Sequence, residues 1–169
     1  MPKVIIDNSR GLVQTGGSGV SCSSPVKTWP TCRGSVTTTD ATYTLTEAQS
    51  GTTLYINKDD GCDVTLPAAT AGLRYRIVQQ LDFSSDTITV TTASTADIYT
   101  GDLRNYKEGT GLAIFKPNGS SNYIITLDGT TTGGVKGGGV IDLIAVSGSE
   151  WHVSGLVQGS GSVATPFSG

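Results

Sequence analysis

The sequence predicts an all-β protein: an antiparallel β-sandwich, jelly-roll-like, with an extended N-terminal arm and a flexible C-terminal tail. Three observations predict it. Charged residues make up 15% and hydrophobic residues 36% of the 169 positions, both below the usual share of a globular domain. Glycine, at 23 residues, and threonine fill the difference; threonine is β-branched and suits a pleated strand, and glycine and serine supply turns. Short segments alternate apolar and polar side chains and are separated by turn residues roughly every 8–12 positions, the spacing of sandwiches and barrels.

Residues 1–40 differ from the rest. Val4-Ile5-Ile6 is a small apolar anchor, followed by Gly11, Gly16, Gly17, Gly19, a serine cluster, Pro25 and Pro30. No apolar periodicity lasts long enough there for a core element. The segment reads as an extended arm that gains structure on a partner surface. The entropy lost on ordering it is offset by docking its apolar side chains. Val4, Ile5, Ile6, Leu12, Val13 and Trp29 are the residues expected to make that contact.

Residues 41–155 carry the sandwich. Tyr43-Thr44-Leu45-Thr46 alternates, and Glu47-Ala48-Gln49 offers a single helical turn. Thr53–Asn57 and Cys62–Leu66 flank Asp59-Asp60-Gly61, the pattern of a hairpin. Pro67 stops the second of these strands. Leu73–Gln79 and Thr87–Thr91 alternate cleanly, and Ala96–Tyr99 is a short strand. Leu112–Lys116 and Tyr123–Leu127 flank Pro117-Asn118-Gly119-Ser120 as a second hairpin, and Val140–Val146 with Trp151–Val153 form a third around Ser147–Glu150. The inward faces are expected to hold Leu45, Leu54, Ile56, Val64, Leu66, Leu73, Tyr75, Ile77, Ile88, Val90, Ile114, Ile125, Leu127, Ile141, Leu143, Ala145, Trp151 and Val153. Residues 156–169 turn polar and Gly/Ser-rich, with Val163 and Phe167 as apolar fasteners of a tail.

Charge and composition narrow the function. Net charge is -3, and the basic residues are scattered, so nucleic-acid binding is not expected. The Met1–Asp7 start lacks the apolar run of a secretion signal, and no stretch reaches the roughly 20 apolar residues of a membrane span. The reading is a soluble chain made in the cytoplasm, with no membrane partner. Cys22, Cys32 and Cys62 are expected as three independent thiols in a reducing compartment; Cys22 and Cys32 are close enough in sequence to bridge after release. Four ligands in close Cys/His pairs, which structural zinc requires, are missing.

No catalytic residue, metal ligand or cofactor site is expected. His152 is the sole histidine and alternates outward between Trp151 and Val153. Gly133-Gly134-Val135-Lys136-Gly137 lacks the spacing of a phosphate loop. Two acidic groups deserve weighing as sugar-flanking or calcium-binding sets: Asp97, Asp102 and Glu108, and Asp59, Asp60 and Asp63. Loop solvation accounts for the first and turn chemistry for the second.

Several motifs carry a resemblance. Tyr43-Thr44-Leu45-Thr46-Glu47-Ala48-Gln49-Ser50-Gly51-Thr52, then Val64-Thr65-Leu66-Pro67-Ala68-Ala69 and Gly72-Leu73-Arg74-Tyr75, resemble small virion proteins of tailed bacteriophages. Gly129–Gly134, Trp151–Gly155 and Gly159–Phe167 continue the likeness, which spans residues 42–169. The resemblance implies a non-enzymatic structural protein on the outer surface of the head, a decoration or cement protein bound between capsomers. Its implied partner is the major capsid protein, and its implied state is a homotrimer. Related β-modules occur in tail fibres, so the alternative is a receptor-binding module that contacts host-surface glycans through aromatics such as Trp29, Tyr99 or Tyr106.

Overall fold

The structure, a computed structural model, describes residues 3–7, 11–15, 35–82, 86–135 and 138–169. The chain divides into two compact units, residues 1–33 and 34–169. The first holds β1 (Lys3–Asp7) and β2 (Gly11–Thr15), paired antiparallel from Lys3↔Thr15 to Asp7↔Gly11. Both strands fall within the segment expected as an N-terminal arm. Two short β-branched runs lie close enough in sequence to satisfy each other's backbone groups locally, which an isolated strand cannot do.

The second unit is all-β, two mixed sheets packed together over one core. Its first strands are β3 (Ser35–Thr38), β4 (Thr42–Thr44), β5 (Thr53–Ile56), β6 (Cys62–Thr65), β7 (Arg74–Gln79) and β8 (Ile88–Thr91). The chain alternates between sheets at every step. β3, β5 and β7 stack parallel in the larger sheet, while β4, β6 and β8 stack parallel in the smaller one. Three successive turns of chain are thus wound as in a parallel β-solenoid, each on the order of 20 residues long. The sandwich expectation holds, but strand direction in this half is parallel where antiparallel pairing was expected. The expected hairpin around Asp59-Asp60-Gly61 is instead a corner between sheets. Gly61 takes φ 87°, and a Cβ there would stand 2.3 Å from the Thr87 carbonyl oxygen.

The remaining strands extend both sheets, mostly by antiparallel pairing. They are β9 (Ile98–Gly101), β10 (Leu103–Lys107), β11 (Gly111–Phe115), β12 (Ile124–Leu127), β13 (Val140–Ala145), β14 (Glu150–Gln158) and β15 (Phe167–Ser168). β13 pairs with β7 and β14, extending the larger sheet, and β12 pairs with β8 and β15, extending the smaller. β9 and β10 lie parallel to successive halves of β14, and β11 folds back on β10. The expected hairpin of β11 with β12 is therefore also a corner: the two strands belong to different sheets. The single helical turn forms at Glu47–Gln49 as a 3-10 turn, closed by a capping box in which the Gln49 side chain reaches back to the Thr46 backbone N–H at 2.9 Å.

Register explains the composition. Tyr43, Val64, Val90, Ile125 and Phe167 sit side by side across the smaller sheet, and Val36, Leu54, Ile77 and Ile141 across the larger. On the smaller sheet their sequence neighbours include an outward threonine row, Thr44–Thr65–Thr91. Of the expected inward residues, Leu73 is only half-buried and Ile114 is exposed; the others are buried. Ile114 is corrected because Ala113 and Phe115, not Ile114, turn inward on β11. The core also takes Cys62, Ala69, Tyr99, Leu103, Val157 and Phe167.

The closing segment is strapped to the body. Ser160 and Ala164 donate backbone N–H bonds to the carbonyls of Thr130 and Thr131, and buried Phe167 packs 6.4 Å from the Tyr99 ring. The 128–132 loop that receives the strap is itself pinned. Asp128 accepts from the backbone N–H groups of Thr130 and Thr132 and from the Thr131 hydroxyl.

Candidate docking surface

Five of the six residues expected to dock lie on the two N-terminal strands. Val4, Ile5 and Ile6 lie on β1 and Leu12 and Val13 on β2, where Ile5 pairs with Val13 and Ile6 with Leu12. One hairpin therefore brings these five positions together. Trp29 lies outside the described residues, as do Cys22 and Cys32.

A second surface, which sequence reasoning missed, belongs to the larger sheet. Cross-strand pairing sets Ile114, Arg104, Leu156, Val140, Val78 and Tyr55 in one row on the face turned away from the core. Leu112 and Tyr106 form the adjoining pair. Ile114 is 58% exposed, Leu112 53%, Leu156 51% and Tyr106 40%. Four large apolar side chains gathered on one patch differ from apolar residues scattered singly, and such patches mark interaction sites. The signal in the sequence was the Tyr106/Leu112 and Arg104/Ile114 pairing across the Glu108-Gly109-Thr110 turn. It was obscured because Leu112–Phe115 reads as a continuous apolar run without an evident outward side.

Two ion pairs lie along this sheet. Arg76 grips Asp142 on the neighbouring strand through two hydrogen bonds of 2.6 and 2.9 Å. Arg104 lies 3.7 Å from Asp102. His152 is exposed on the same face, as its alternation predicts.

The acidic sets weighed from the sequence occupy separate structural roles. Asp97 is buried and accepts the Ala69 backbone N–H at 3.1 Å. Asp102 stands between β9 and β10, and Glu108 lies at the β10–β11 turn. Asp60 is paired with Lys58, and Asp63 accepts the Thr89 hydroxyl at 2.6 Å. Among the described residues no group of three or more His, Cys, Asp or Glu side chains is arranged to hold a metal ion. Burial, then the nearby Asp63 and Asp40 carboxylates, push the Cys62 thiol up to about 11, against a smaller opposing pull from Lys58. That thiol is a packing group at neutral pH. Tyr99, one of the aromatics weighed for glycan contact, is fully buried with its hydroxyl donating to the Val90 carbonyl at 3.0 Å. It is therefore unavailable to a ligand, whereas Tyr106 is exposed. Among the described residues no helix is long and apolar enough to cross a membrane.

No family model matches the chain, and neither a curated protein nor a solved structure matches it.

Proposed function

We propose that this protein is a bacteriophage capsid decoration protein, which binds the outer surface of the mature head between capsomers and stabilises the shell without a reactive group. The observation that carries the reading is the apolar row on the outer face of the larger sheet, a surface built for contact with protein. The N-terminal hairpin supplies a second apolar element in a unit of its own. Two contact elements on one chain raise the effective concentration of each for the other's site. A ligand that binds only the expanded, mature lattice stabilises that lattice by mass action. Its partner on this reading is the major capsid protein.

The test is stoichiometry and dependence on the N-terminal unit. Mass spectrometry of purified virions is expected to find the chain in hundreds of copies, on the scale of the major capsid protein; a handful per particle would move it to the tail. Deleting residues 1–24 is expected to weaken co-sedimentation with expanded heads, by removing one of the two contact elements, while the 34–169 unit stays folded by circular dichroism. Undiminished co-sedimentation would transfer the contact to the sheet face.

A tail-fibre or receptor-binding module is favoured by a different observation, the parallel winding of β3 to β8. Stacked turns of this kind are the building principle of elongated repeat proteins. On that reading exposed Tyr106 stacks on a host-surface glycan. Tail-level copy number, together with loss of cell binding on Tyr106→Ala, would select it.

A further inference from the structure

We propose that the free edge of β11 is a self-association site, at which a second copy of this chain adds its own β11 antiparallel about a two-fold axis through Ala113. β11 ends the larger sheet, and among the described residues no strand pairs with its outer edge. Alternate backbone N–H and C=O groups of an antiparallel edge strand point away from its neighbour and await a partner. Five residues, Gly111–Phe115, are available.

The strand is complementary to itself. Pairing Ala113 with the partner's Ala113 sets Leu112 against the partner's Ile114, and Ile114 against the partner's Leu112. These are the two most exposed of the large hydrophobic side chains, at 53% and 58%, and each covers the other. A slip of one residue would pair an outward side chain with an inward one and is excluded by the pleat. A slip of two leaves one of the two apolar side chains beyond the end of the opposing strand. The two-fold register alone uses all five residues and both apolar groups.

Face and edge also act together. The outward row from Tyr55 to Ile114, apolar except for Arg104, continues across the axis into the partner's Leu112 and Tyr106, so one surface spans both copies. A two-fold contact closes on itself, which consumes an edge that would otherwise template open-ended association. The assembly is then a pair, in place of the three-fold state expected from the sequence. It is independent of the shell-binding reading, since a monomer can decorate a head equally well.

Native mass spectrometry and sedimentation of the full chain at micromolar concentration test the proposal. The parent protein is expected to carry twice the chain mass. The double substitution Leu112→Lys and Ile114→Lys, on exposed positions, is expected to weaken association about a hundredfold with an unchanged circular dichroism spectrum. Should that variant fail to fold, Ala113→Cys decides. Residues directly opposite on antiparallel strands stand about 4.5–5.5 Å apart at Cα, within disulfide reach, so mild oxidation should give a covalent dimer that the parent chain does not form. A monomeric or trimeric parent, a dimer indifferent to the double substitution, or no covalent dimer from Ala113→Cys would each overturn it.

Discussion

Asp128 shows how much one side chain can organise. Burial pushes its carboxyl up, but the Thr132 backbone N–H, the Thr131 hydroxyl and the Thr130 N–H outweigh that and hold it at about 2, below its ordinary 3.8. A carboxyl depressed on folding adds stability that is fully present above the ordinary value and fades as pH falls through the folded one. Thermal melts between pH 5 and pH 2 should therefore show a fall in Tm that Asp128→Ala largely removes; partial solvent exposure keeps the effect below about 1 kcal/mol. Trp151 makes a different point. It is fully buried, 5.8 Å from the Tyr75 ring, and its indole Nε1 has no hydrogen-bond partner among the described residues. Trp151→Ala should cost about 3–5 kcal/mol through the cavity it leaves. Trp151→Phe keeps the ring contact and deletes the unbonded donor, so chemical denaturation should find it less than about 2 kcal/mol below the parent. Equal losses for the two variants would mean that the indole's bulk is not what the core requires.

At the scale of elements, β15 is the least expected strand and a consequential one. It is two residues long, yet Phe167 completes the row begun by Tyr43 across the smaller sheet. Phe167→Ala is expected to destabilise the 34–169 unit by about 3–5 kcal/mol, measurable as a lowered denaturant midpoint with little change in slope. Period-two alternation revealed strands such as β7, β8 and β13, because one face of each is buried and the other is not. Strand partners were not legible. Asp59-Asp60-Gly61 and Pro117–Ser120 carry the residues of a hairpin turn, and the same residues make a corner between layers equally well. Only long-range pairing separates the two outcomes. β3 was hidden because Ser35-Val36-Thr37-Thr38 offers one apolar residue, and β10 because Arg104 and Tyr106 interrupt Leu103 and Asn105 with long amphipathic side chains. The residues of β1 and β2 expected to dock were legible as apolar positions, but not as partners of one another.

At the scale of the whole molecule, the parallel winding sets the folding problem. A parallel pair cannot be joined by a tight turn, so each rung of β3–β5–β7 and β4–β6–β8 closes a long loop before it gains a contact. β14 must also find both β13, its hairpin neighbour, and β9 and β10, about fifty positions earlier in the chain. Stopped-flow refolding of the parent should accordingly relax in milliseconds to seconds, as for other domains dominated by distant pairings. Microsecond folding would indicate that the hairpins alone carry the nucleus.

The strap that ends in β15 has a bearing on biosynthesis. Until Phe167 and Ser168 have left the ribosome, the flank of β12 that they cover faces solvent with its backbone groups open. The smaller sheet can finish only after synthesis has passed that point, whatever the larger one has already achieved. Stalling translation a few codons short of it should yield nascent chains bound by holdase chaperones, and resuming elongation should release them.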